Sequence, residues 1–498
     1  MPTALPLRRR RPALLATACA AVMLGALGIA LVPRASVADA DGSEAQTAAA
    51  IEAVLADADL PSAIWGIVVR DARSGRVVMS RNADKNLLPA STLKLFTTAT
   101  ALDALGPTFR FATRLYHLGP EASGGVLRGD LVIRGSGDPT LGSSGQPDAF
   151  QRWAEALAAT GVRRIEGRLI GDDDRFEDEP YGEGWDVHHI ATESYAPATG
   201  GLAWADNLLP VRVEGGGRGP TVTAGPEGFA TIRMDVESRR GRSRLRIERE
   251  LGTDTYRVHG GVASGYRGTL QLPVANPTLY AVSAFAEALR TAGIDVSGAR
   301  LLDVDDLDTP PSYDGAEPLL VHVSPTLADI VMRVNQESDN LYAEHLLRAL
   351  TEQGSAEAGA QRVEAFVSEA GADADGLSIR DGSGLSRKDM VTPDAMAAVL
   401  RRMADHPAGG VFRASLPSGG GAGSTLRNRL DGVPVRAKTG SLEYVRCLAG
   451  YVQGPGGTPY VFVLMANNYT TGSSQITQAM DRIVQAVATG GRLPVEED

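Results

Sequence analysis

Residues 89–96 read Pro-Ala-Ser-Thr-Leu-Lys-Leu-Phe and set a serine and a lysine three positions apart among apolar residues. If this stretch opens a helix, Ser91 and Lys94 share one face, because residues three apart are neighbours on a helix surface. The apolar residues then supply the buried side of the helix. The stretch therefore predicts a hydroxyl beside an amine at the start of a buried helix.

Two further short motifs follow much later in the chain. Residues 338–340 read Ser-Asp-Asn within a helical pattern, and residues 438–441 read Lys-Thr-Gly-Ser at the start of a strand pattern. Each motif alone occurs by chance in a chain of this length. Their order and their settings make the combination specific, and it predicts one composite active site.

The residue types indicate acyl transfer through a covalent intermediate. Ser91 is the predicted nucleophile, and Lys94 is the nearest group able to take its proton, provided that the amine is neutral. Burial and a second cation, Lys438, would lower the pKa of Lys94. Ser338 would relay a proton and Asn340 would hold the substrate amide or Lys94. The sequence leaves open whether Lys94 or a relay through Ser338 takes the proton.

The third motif supplies the predicted substrate-binding residues Thr439, Gly440 and Ser441. Lys438 and Thr439 suit recognition of a terminal carboxylate. The backbone N–H groups of Ser91 and Ser441 suit an oxyanion hole, which stabilises the charge that develops in the transition state.

Composition narrows the class of protein. The 498 residues are 43% hydrophobic and 22% charged, which is typical of a globular chain with roughly two to four domains. The net charge of -11 argues against nucleic acid as the main partner. Among 49 Lys and Arg residues only Lys85, Lys94, Lys388 and Lys438 are lysines. Two of the four lie in the motifs, where arginine could not act as a base because it stays protonated.

The N-terminal segment is typical of an export signal. Residues 8–11 are arginines, residues 13–32 are mostly apolar, and small residues follow up to Ala40. We expect cleavage near Ala38 or Ala40. An uncleaved anchor, with membrane association through this segment, is the alternative, and either one places the body outside the cytoplasm. Cys447 would then be the only cysteine of the mature chain, which excludes an internal disulfide.

Hydrophobic periodicity divides the remainder of the chain. A helix is predicted at 47–57, two strands at 63–69 and 76–80, and a mainly β middle region with helices at about 149–160 and 278–293. Helical patterns return from residue 325, and two strands and a terminal helix close the chain. The predicted division is 1–40 signal or anchor, 43–108 first part of the catalytic domain, 109–317 inserted domains, and 318–498 second part.

The three motifs resemble the active site of serine D,D-peptidases. Ser91 and Ser338 are 247 positions apart, which is too far for a compact β-lactamase and is similar to the class C low-molecular-mass penicillin-binding proteins, the D-alanyl-D-alanine carboxypeptidase family S13. Residues 135–141, 195–197 and 381–387 also resemble this family. The resemblance implies a catalytic domain of the β-lactamase/D,D-peptidase type, with a five-stranded antiparallel sheet flanked by helices, and one or two mainly β inserted domains.

The resemblance also implies the activity. It predicts a serine-type D-Ala-D-Ala carboxypeptidase, with endopeptidase activity on cross-links as a second activity. Its partners would be peptidoglycan stem peptides and β-lactam antibiotics, with penicillin as a covalent inhibitor, and it would need no metal or other cofactor. Residues 184–189 depart from the family pattern, so no substrate-pocket role is predicted for Trp185 or Asp186. We expect His188 and His189 to be solvated or structural rather than metal ligands.

Two other classes of function stay open at this point. One is a β-lactamase or esterase on the same catalytic fold, and the long insertion disfavours it. The other is a non-catalytic envelope-binding protein, which the intact serine, lysines and relay serine disfavour. Rapid turnover of penicillin would indicate the first, and the absence of any covalent adduct would indicate the second.

Overall fold

The computed structural model describes residues 37–56, 60, 62–146, 148–216 and 219–492. The α-helices of these residues are α1 (Val37–Leu55), α2 (Lys94–Leu105), α3 (Ala149–Ala159), α4 (Val187–Thr192), α5 (Pro277–Thr291), α6 (Leu327–Gln336), α7 (Asn340–Ala349), α8 (Ala356–Glu369), α9 (Pro393–Asp405), α10 (Gly409–Ser415) and α11 (Ser473–Thr489). The strands are β1 (Ile64–Asp71), β2 (Val77–Arg81), β3 (Ala112–Leu118), β4 (Val126–Arg128), β5 (Asp130–Arg134), β6 (Arg164–Glu166), β7 (Arg168–Asp172), β8 (Leu208–Gly216), β9 (Gly219–Ala224), β10 (Thr231–Arg239), β11 (Arg244–Arg249), β12 (Thr255–Ala263), β13 (Arg267–Pro273), β14 (Arg300–Asp303), β15 (Leu320–Val323), β16 (Val435–Leu442), β17 (Val445–Gln453) and β18 (Pro459–Asn467).

The first sheet is built from both ends of the chain, and we call it the terminal sheet. Its five strands lie in the order β16-β17-β18-β1-β2, and every neighbouring pair is antiparallel. The contact between the chain ends is the pairing of β1 with β18, which runs from Ile64 opposite Asn467 to Asp71 opposite Tyr460. The predicted five-stranded antiparallel sheet is confirmed.

Helices cover both faces of the terminal sheet. Side chains of a strand alternate between the two faces, so Ile67 and Val69 pack with α1 and α11 while Val68 packs with the cluster formed by α2 and α6 to α9. The central strand β18 is buried at every position after its first. This three-layer arrangement buries α2 as well, from Lys94 to Leu102.

The inserted region contains a second five-stranded sheet and two smaller ones. The five-stranded sheet has the order β14-β7-β5-β3-β15, and α3 and α5 pack on it through an aromatic cluster that includes Phe150, Trp153 and Phe285. The two three-stranded sheets have the orders β13-β8-β9 and β10-β12-β11. We call the second of these the outer sheet. The pattern of alternating residues predicted strands here, but not the parallel pairing of β10 with β12.

Strand β15 lies just beyond residue 317, the predicted end of the inserted domains. Strand β15 pairs with β3, with Leu320 opposite Leu115, so the inserted region extends beyond residue 317 to Val323. The chain then enters α6, where Thr326 accepts a hydrogen bond from the N–H of Asp329 and caps the helix. The six residues of α4 were not predicted as a helix, because one and a half turns are too short to show a period.

Most of the predicted N-terminal export segment, residues 1–36, lies outside the described residues. Among the residues that are described, no helix combines the length and the apolar character that crossing a membrane requires.

Candidate active site

Ser91 lies on a tight turn rather than in an α-helix. Residues Ala90–Leu93 form a 3-10 turn, and α2 begins at Lys94. Ser91 and Lys94 are still neighbours, as expected, because residues three apart also align in a 3-10 turn. Ala90 has a φ of 46°, which is unusual for a residue other than glycine. Strand β16 packs closely on this turn, since a Cβ at Gly440 would lie 2.7 Å from the Pro89 carbonyl oxygen.

Lys94 is completely buried and has three acceptors around its amine. Its Nζ lies 3.1 Å from Ser91 Oγ, 2.6 Å from Asn340 Oδ1 and 2.7 Å from the Ser383 carbonyl oxygen. Asn340 is the first residue of α7, so the second motif meets the first at this amine. A neutral amine has two N–H donors and one lone pair. If Asn340 and Ser383 take the two donors, the lone pair points to the Ser91 hydroxyl.

Burial is the main influence on the charge of Lys94. It lowers the pKa of Lys94 to about 8, against the opposing effect of the carboxylates of Asp381 and Glu344. A measurable fraction of the amine is therefore neutral at pH 7 to 8.

Lys438 and Ser338 form the second half of the site. Lys438 is fully buried on β16, and its Nζ donates to Ser338 Oγ at 2.9 Å and to the Thr439 carbonyl at 2.9 Å. Burial, followed by the nearby charge of Lys94, lowers the pKa of Lys438 well below its ordinary value. Ser338 has a φ of 63° in the connection between α6 and α7. The hydroxyl of Ser338 is thus linked to a buried amine.

The turn that carries Ser338 is held by a charged network. Asp339 caps α7 by accepting from the N–H of Tyr342 at 3.1 Å. Arg333 on α6 donates to Asp339 at 2.9 Å and also binds Asp206 of the inserted region at 3.0 Å. The guanidinium stacks 4.0 Å from the centre of the Tyr342 ring. The inserted region therefore contributes directly to the position of the second motif.

A cavity of about 470 Å³ opens over the three motifs. Its walls include Ser91, Ser338, Asn340, Thr439 and Ser441. Lys94 and Lys438 lie behind this wall, fully buried. The structure therefore brings all three motifs together, with Thr439 and Ser441 on the cavity wall and the Lys438 side chain buried behind it.

The inserted region supplies one side of the cavity. Gly184, Asp186, His189 and Tyr195 line it, opposite the third motif. The position of Asp186 differs from our expectation, because the departure of residues 184–189 from the family pattern had argued against a pocket role. Asp186 also caps α4 through the N–H of His188 at 2.8 Å. That cap fixes the helix that carries His189.

A buried loop behind Lys94 was missed as part of the site. Asp381, completely buried, accepts hydrogen bonds from the N–H groups of Ser383, Gly384 and Ser386 at 3.1, 2.6 and 2.7 Å. The indole N–H of Trp185 also donates to Asp381, at 2.8 Å. The sequence signal for this loop was its likeness to the family at residues 381–387, but nothing in that pattern shows which residue it supports.

Two more buried carboxyl groups lie nearby. Glu344 on α7 accepts from the N–H of Gly382 at 2.9 Å and from Arg348 at 3.1 Å. Burial, with the neighbouring charge of Asp381, raises the pKa of Glu344 to about 7. Burial also raises the pKa of Asp389 well above its ordinary value. The charges of both groups act on the Lys94 amine, and burial disfavours the charged form of each.

His345 is not placed to act as a base at the site. His345 is buried on α7, and its Nδ1 lies 2.9 Å from the Gly137 carbonyl oxygen. Burial lowers the pKa of His345 to about 4. Its contact with the inserted region is that of a packing residue.

The fold and the site define a serine enzyme of the β-lactamase/D,D-peptidase type. The family model described as "D-Ala-D-Ala carboxypeptidase 3 (S13) family" matches residues 47–489. The chain belongs to this family, and the family predicted from the motifs is confirmed.

Curated relatives agree with this assignment. The chain is 34% identical over 446 residues to the D-alanyl-D-alanine carboxypeptidase of Actinomadura sp. (strain R39), covering 85% of this chain and 81% of the relative. It is 28% identical over 437 residues to the D-alanyl-D-alanine carboxypeptidase DacB of Haemophilus influenzae, covering 84% of this chain and 88% of that protein. The match thus extends over more than four-fifths of the length of each relative.

A solved structure shows the same fold. Penicillin binding protein 4 from Haemophilus influenzae superimposes with a TM-score of 0.76 at 24% sequence identity, and the match covers 88% of this chain and 99% of that chain. A second structure of that protein, in complex with a β-lactam, gives a TM-score of 0.70 at 23% identity over 88% of this chain and 99% of that one. The predicted fold class, a catalytic domain with inserted β domains, is confirmed.

Proposed function

We propose that the chain is a serine-type D-Ala-D-Ala carboxypeptidase that acts on peptidoglycan stem peptides through an acyl-enzyme on Ser91. The observation that carries this proposal is the 3.1 Å contact between Ser91 Oγ and Lys94 Nζ, whose other two partners are acceptors. A weakly acidic hydroxyl needs a base within hydrogen-bond reach. Membership of the family supports the choice of substrate.

Acylation follows from the position of the lone pair on Lys94. Ser91 Oγ attacks the carbonyl carbon of the penultimate D-Ala while Lys94 Nζ accepts its proton. The peptide C–N bond then breaks, an ester forms at Ser91, and the terminal D-Ala leaves as an amine that must gain a proton. Water later hydrolyses the ester and returns the proton to the serine. No step requires a metal or another cofactor.

Ser338 and Lys438 suit delivery of the proton to the leaving amine. The Ser338 hydroxyl lines the cavity and binds the buried Lys438 amine at 2.9 Å. A hydroxyl between an amine and the leaving group can donate one proton and accept another in the same step. Lys438 is not a catalytic contact in this scheme, because it acts through Ser338.

Substrate recognition is assigned to the rim of the cavity. The backbone N–H groups of Ser91 and Ser441 would form the oxyanion hole, and the Thr439 hydroxyl with Ser441 would bind the terminal carboxylate. Gly440 keeps β16 close to the nucleophile turn, because a side chain there would meet the Pro89 carbonyl oxygen. Donors fixed in advance stabilise the transition state more than donors that must reorient.

The proposal extends to inhibitors, cross-links and location. A β-lactam ring presents a strained amide to Ser91, and the leaving nitrogen stays attached after ring opening, so we expect a long-lived adduct. We expect endopeptidase activity where a cross-link ends in the same D-Ala carbonyl. The stem peptide lies outside the cytoplasm, which agrees with the N-terminal signal predicted from the sequence.

The test combines a labelled penicillin with a peptide that ends in D-Ala-D-Ala. Wild-type protein should form one covalent adduct per chain and release D-Ala, and Ser91→Ala should do neither. Mass spectrometry of a proteolytic digest should place the adduct on Ser91. Rapid turnover of penicillin without D-Ala release would indicate a β-lactamase instead, and the absence of both adduct and product would refute an enzyme.

A further inference from the structure

Both acceptors that fix the Lys94 amine are held by one segment of the inserted region, residues 181–196, which we call the clamp segment. The Tyr195 carbonyl accepts from Asn340 Nδ2 at 2.7 Å, and the same amide offers its Oδ1 to Lys94. The second acceptor, the Ser383 carbonyl, belongs to the loop built on Asp381. Trp185 of the clamp segment donates to that carboxylate at 2.8 Å.

The Asp381 loop transmits this contact because it has little freedom of its own. Five hydrogen bonds converge on the Asp381 carboxylate, three from backbone N–H groups, one from Ser383 Oγ and one from Trp185. Gly384 has a φ of 79°, and a Cβ there would lie 1.9 Å from the Ala90 carbonyl oxygen. The loop is therefore in direct contact with the nucleophile turn, and a shift in it moves the Ser383 carbonyl.

Trp185 is buried and closely packed rather than exposed on the surface. Its side chain is 7% exposed and packs with Ala196 and Leu385. A Cβ at Gly182 would lie 2.3 Å from the indole nitrogen, so the chain passes directly beside this hydrogen bond. Among the described residues, this is the only donor to Asp381 that comes from the inserted region.

We infer that Trp185 is a positioning residue, which aligns the Lys94 amine with the Ser91 hydroxyl by holding Asp381 and, through it, the Ser383 carbonyl. The inference rests on the proposed function and explains what the inserted region adds to it. Residues of the same segment, Gly184, Asp186 and Tyr195, line the cavity. Substrate that contacts the clamp segment would therefore stabilise the arrangement in which the base is aligned.

The charged groups around Lys94 give the inference a measurable pH signature. Asp381, Glu344, Asp339 and Asp389 favour the protonated amine, whereas burial disfavours it. The charge of Lys94 in turn helps to lower the pKa of Lys438 on β16. Trp185→Phe removes a hydrogen bond that disperses the charge of Asp381, and it admits water to a dry site. Both effects favour the protonated form of Lys94, so acylation should require a higher pH.

The experiment compares Trp185→Phe with Trp65→Phe. Trp65 lies on β1 and is 5% exposed, and its indole nitrogen is buried without a hydrogen-bond partner among the described residues. The two variants therefore make the same change in size, but only one of them breaks a hydrogen bond. The rate of acylation by labelled penicillin should be measured between pH 5.5 and 9.5, together with kcat and KM for D-Ala release and the Tm.

We expect Trp185→Phe to lower the acylation rate at pH 7 about tenfold, as misaligned groups lose reactivity steeply with distance. The acid limb of its pH–rate profile for acylation should move to higher pH by about half a unit to one unit. For D-Ala release, kcat should fall while KM changes little. Trp65→Phe should keep its acylation rate and kcat within about twofold of wild type, because Trp65 packs on the face of the terminal sheet that α1 and α11 cover. A Trp185→Phe variant that matches Trp65→Phe in rate and pH profile would overturn the inference.

Two further results separate this inference from the proposed function and from damage to the fold. Asp381→Asn removes a charge that favours protonated Lys94. It should also lower the acylation rate, but it should move the acid limb of the pH profile to lower pH. An upward shift of the limb, or no shift, counts against the inference even if Trp185→Phe fails to fold. If wild-type protein forms no adduct and releases no D-Ala, the proposed function itself fails, and the positioning role falls with it.

Discussion

The terminal sheet and the outer sheet of the inserted region differ in how deeply their strands are buried. Strand β18 of the terminal sheet is buried at every position after its first, whereas no residue of β10 in the outer sheet is buried. Helices cover both faces of the terminal sheet, whereas the outer sheet packs through Tyr256 and Val258 of β12 on the sheet β13-β8-β9 and leaves most of β10 exposed. Chemistry that needs a dry environment can therefore operate beside the first sheet and not beside the second.

The two regions also hold their ion pairs differently. Arg348 and Glu344, behind the active site, have side chains that are 1% and 0% exposed, while Arg233 and Glu250 of the outer sheet are 63% and 50% exposed. A buried charge depends on its partner, because water cannot replace it. An exposed charge is screened by solvent. The same kind of substitution should therefore have a large effect in one region and almost none in the other.

The largest expected effect is on the buried amine of the active site. Lys94→Arg keeps a positive charge but removes the base, because a guanidinium does not lose its proton in a protein. General base catalysis contributes roughly 10²- to 10⁴-fold, so the acylation rate should fall about 10³-fold. The rate of labelling by a fluorescent penicillin checks this.

Lys388→Arg is the matched control for that substitution. Lys388 is exposed and pairs with Glu183 at 2.5 Å, a contact that arginine can also make. We expect its acylation rate to stay within about twofold of wild type, as for most surface substitutions. Normal acylation in Lys94→Arg would contradict the proposed base.

Breaking the buried ion pair should cost stability. Arg348→Met leaves Glu344 without its charged partner, and the loss should be about 3 kcal/mol of unfolding free energy. The pKa of Glu344 is already raised to about 7, and the substitution raises it further. A carboxyl group whose pKa is higher in the folded than in the unfolded state destabilises the fold once the pH exceeds the unfolded-state pKa. The loss of unfolding free energy should therefore be larger at pH 8 than at pH 5. Urea unfolding at the two pH values measures it, and an equal loss at both would contradict the role of Glu344.

The pH dependence of acylation tests the burial of Lys94 without any substitution. Only the neutral amine can take the Ser91 proton, and the pKa of Lys94 is lowered to about 8. The rate should rise with pH, about tenfold per unit below this value, and should level off above it. A limb near pH 10, the ordinary value for lysine, would mean that the amine is solvated during the reaction.

The resemblance of the motifs was sufficient to predict the terminal sheet, and the motifs themselves predicted that Ser91 and Asn340 meet near the Lys94 amine. The third acceptor at that amine, the Ser383 carbonyl, was not predicted. Three motifs in the family's order, each within a helical or strand pattern, predicted that Ser91, Lys94, Ser338, Asn340 and Lys438 lie together. Only the conformation of the first motif differs from the prediction, since α2 begins at Lys94 and Ser91 lies on a 3-10 turn. The sequence indicates helices, strands and short motifs well, because the spacing of apolar residues and the residues that flank a motif are local properties.

The acids behind the site could not be predicted in the same way. Helix α7 buries Glu344 and Arg348 as fully as its leucines, because it is enclosed by other helices and by the inserted region. Hydropathy places such residues on a surface. Their partners, including the N–H of Gly382, are supplied by segments distant in sequence. Which carboxyl group supports which loop is thus decided by tertiary contacts.

The smallest expected effect is in the outer sheet, and it completes the comparison with Arg348→Met. Arg233→Met breaks the contact with Glu250, but both groups keep their hydration, so the unfolding free energy should change by less than about 0.5 kcal/mol. Acylation should be unchanged. Urea unfolding beside Arg348→Met checks this. A loss similar to that of Arg348→Met would show that the outer sheet is covered in solution, for instance by another protein or another copy of the chain, and the contrast between the two regions would then fail.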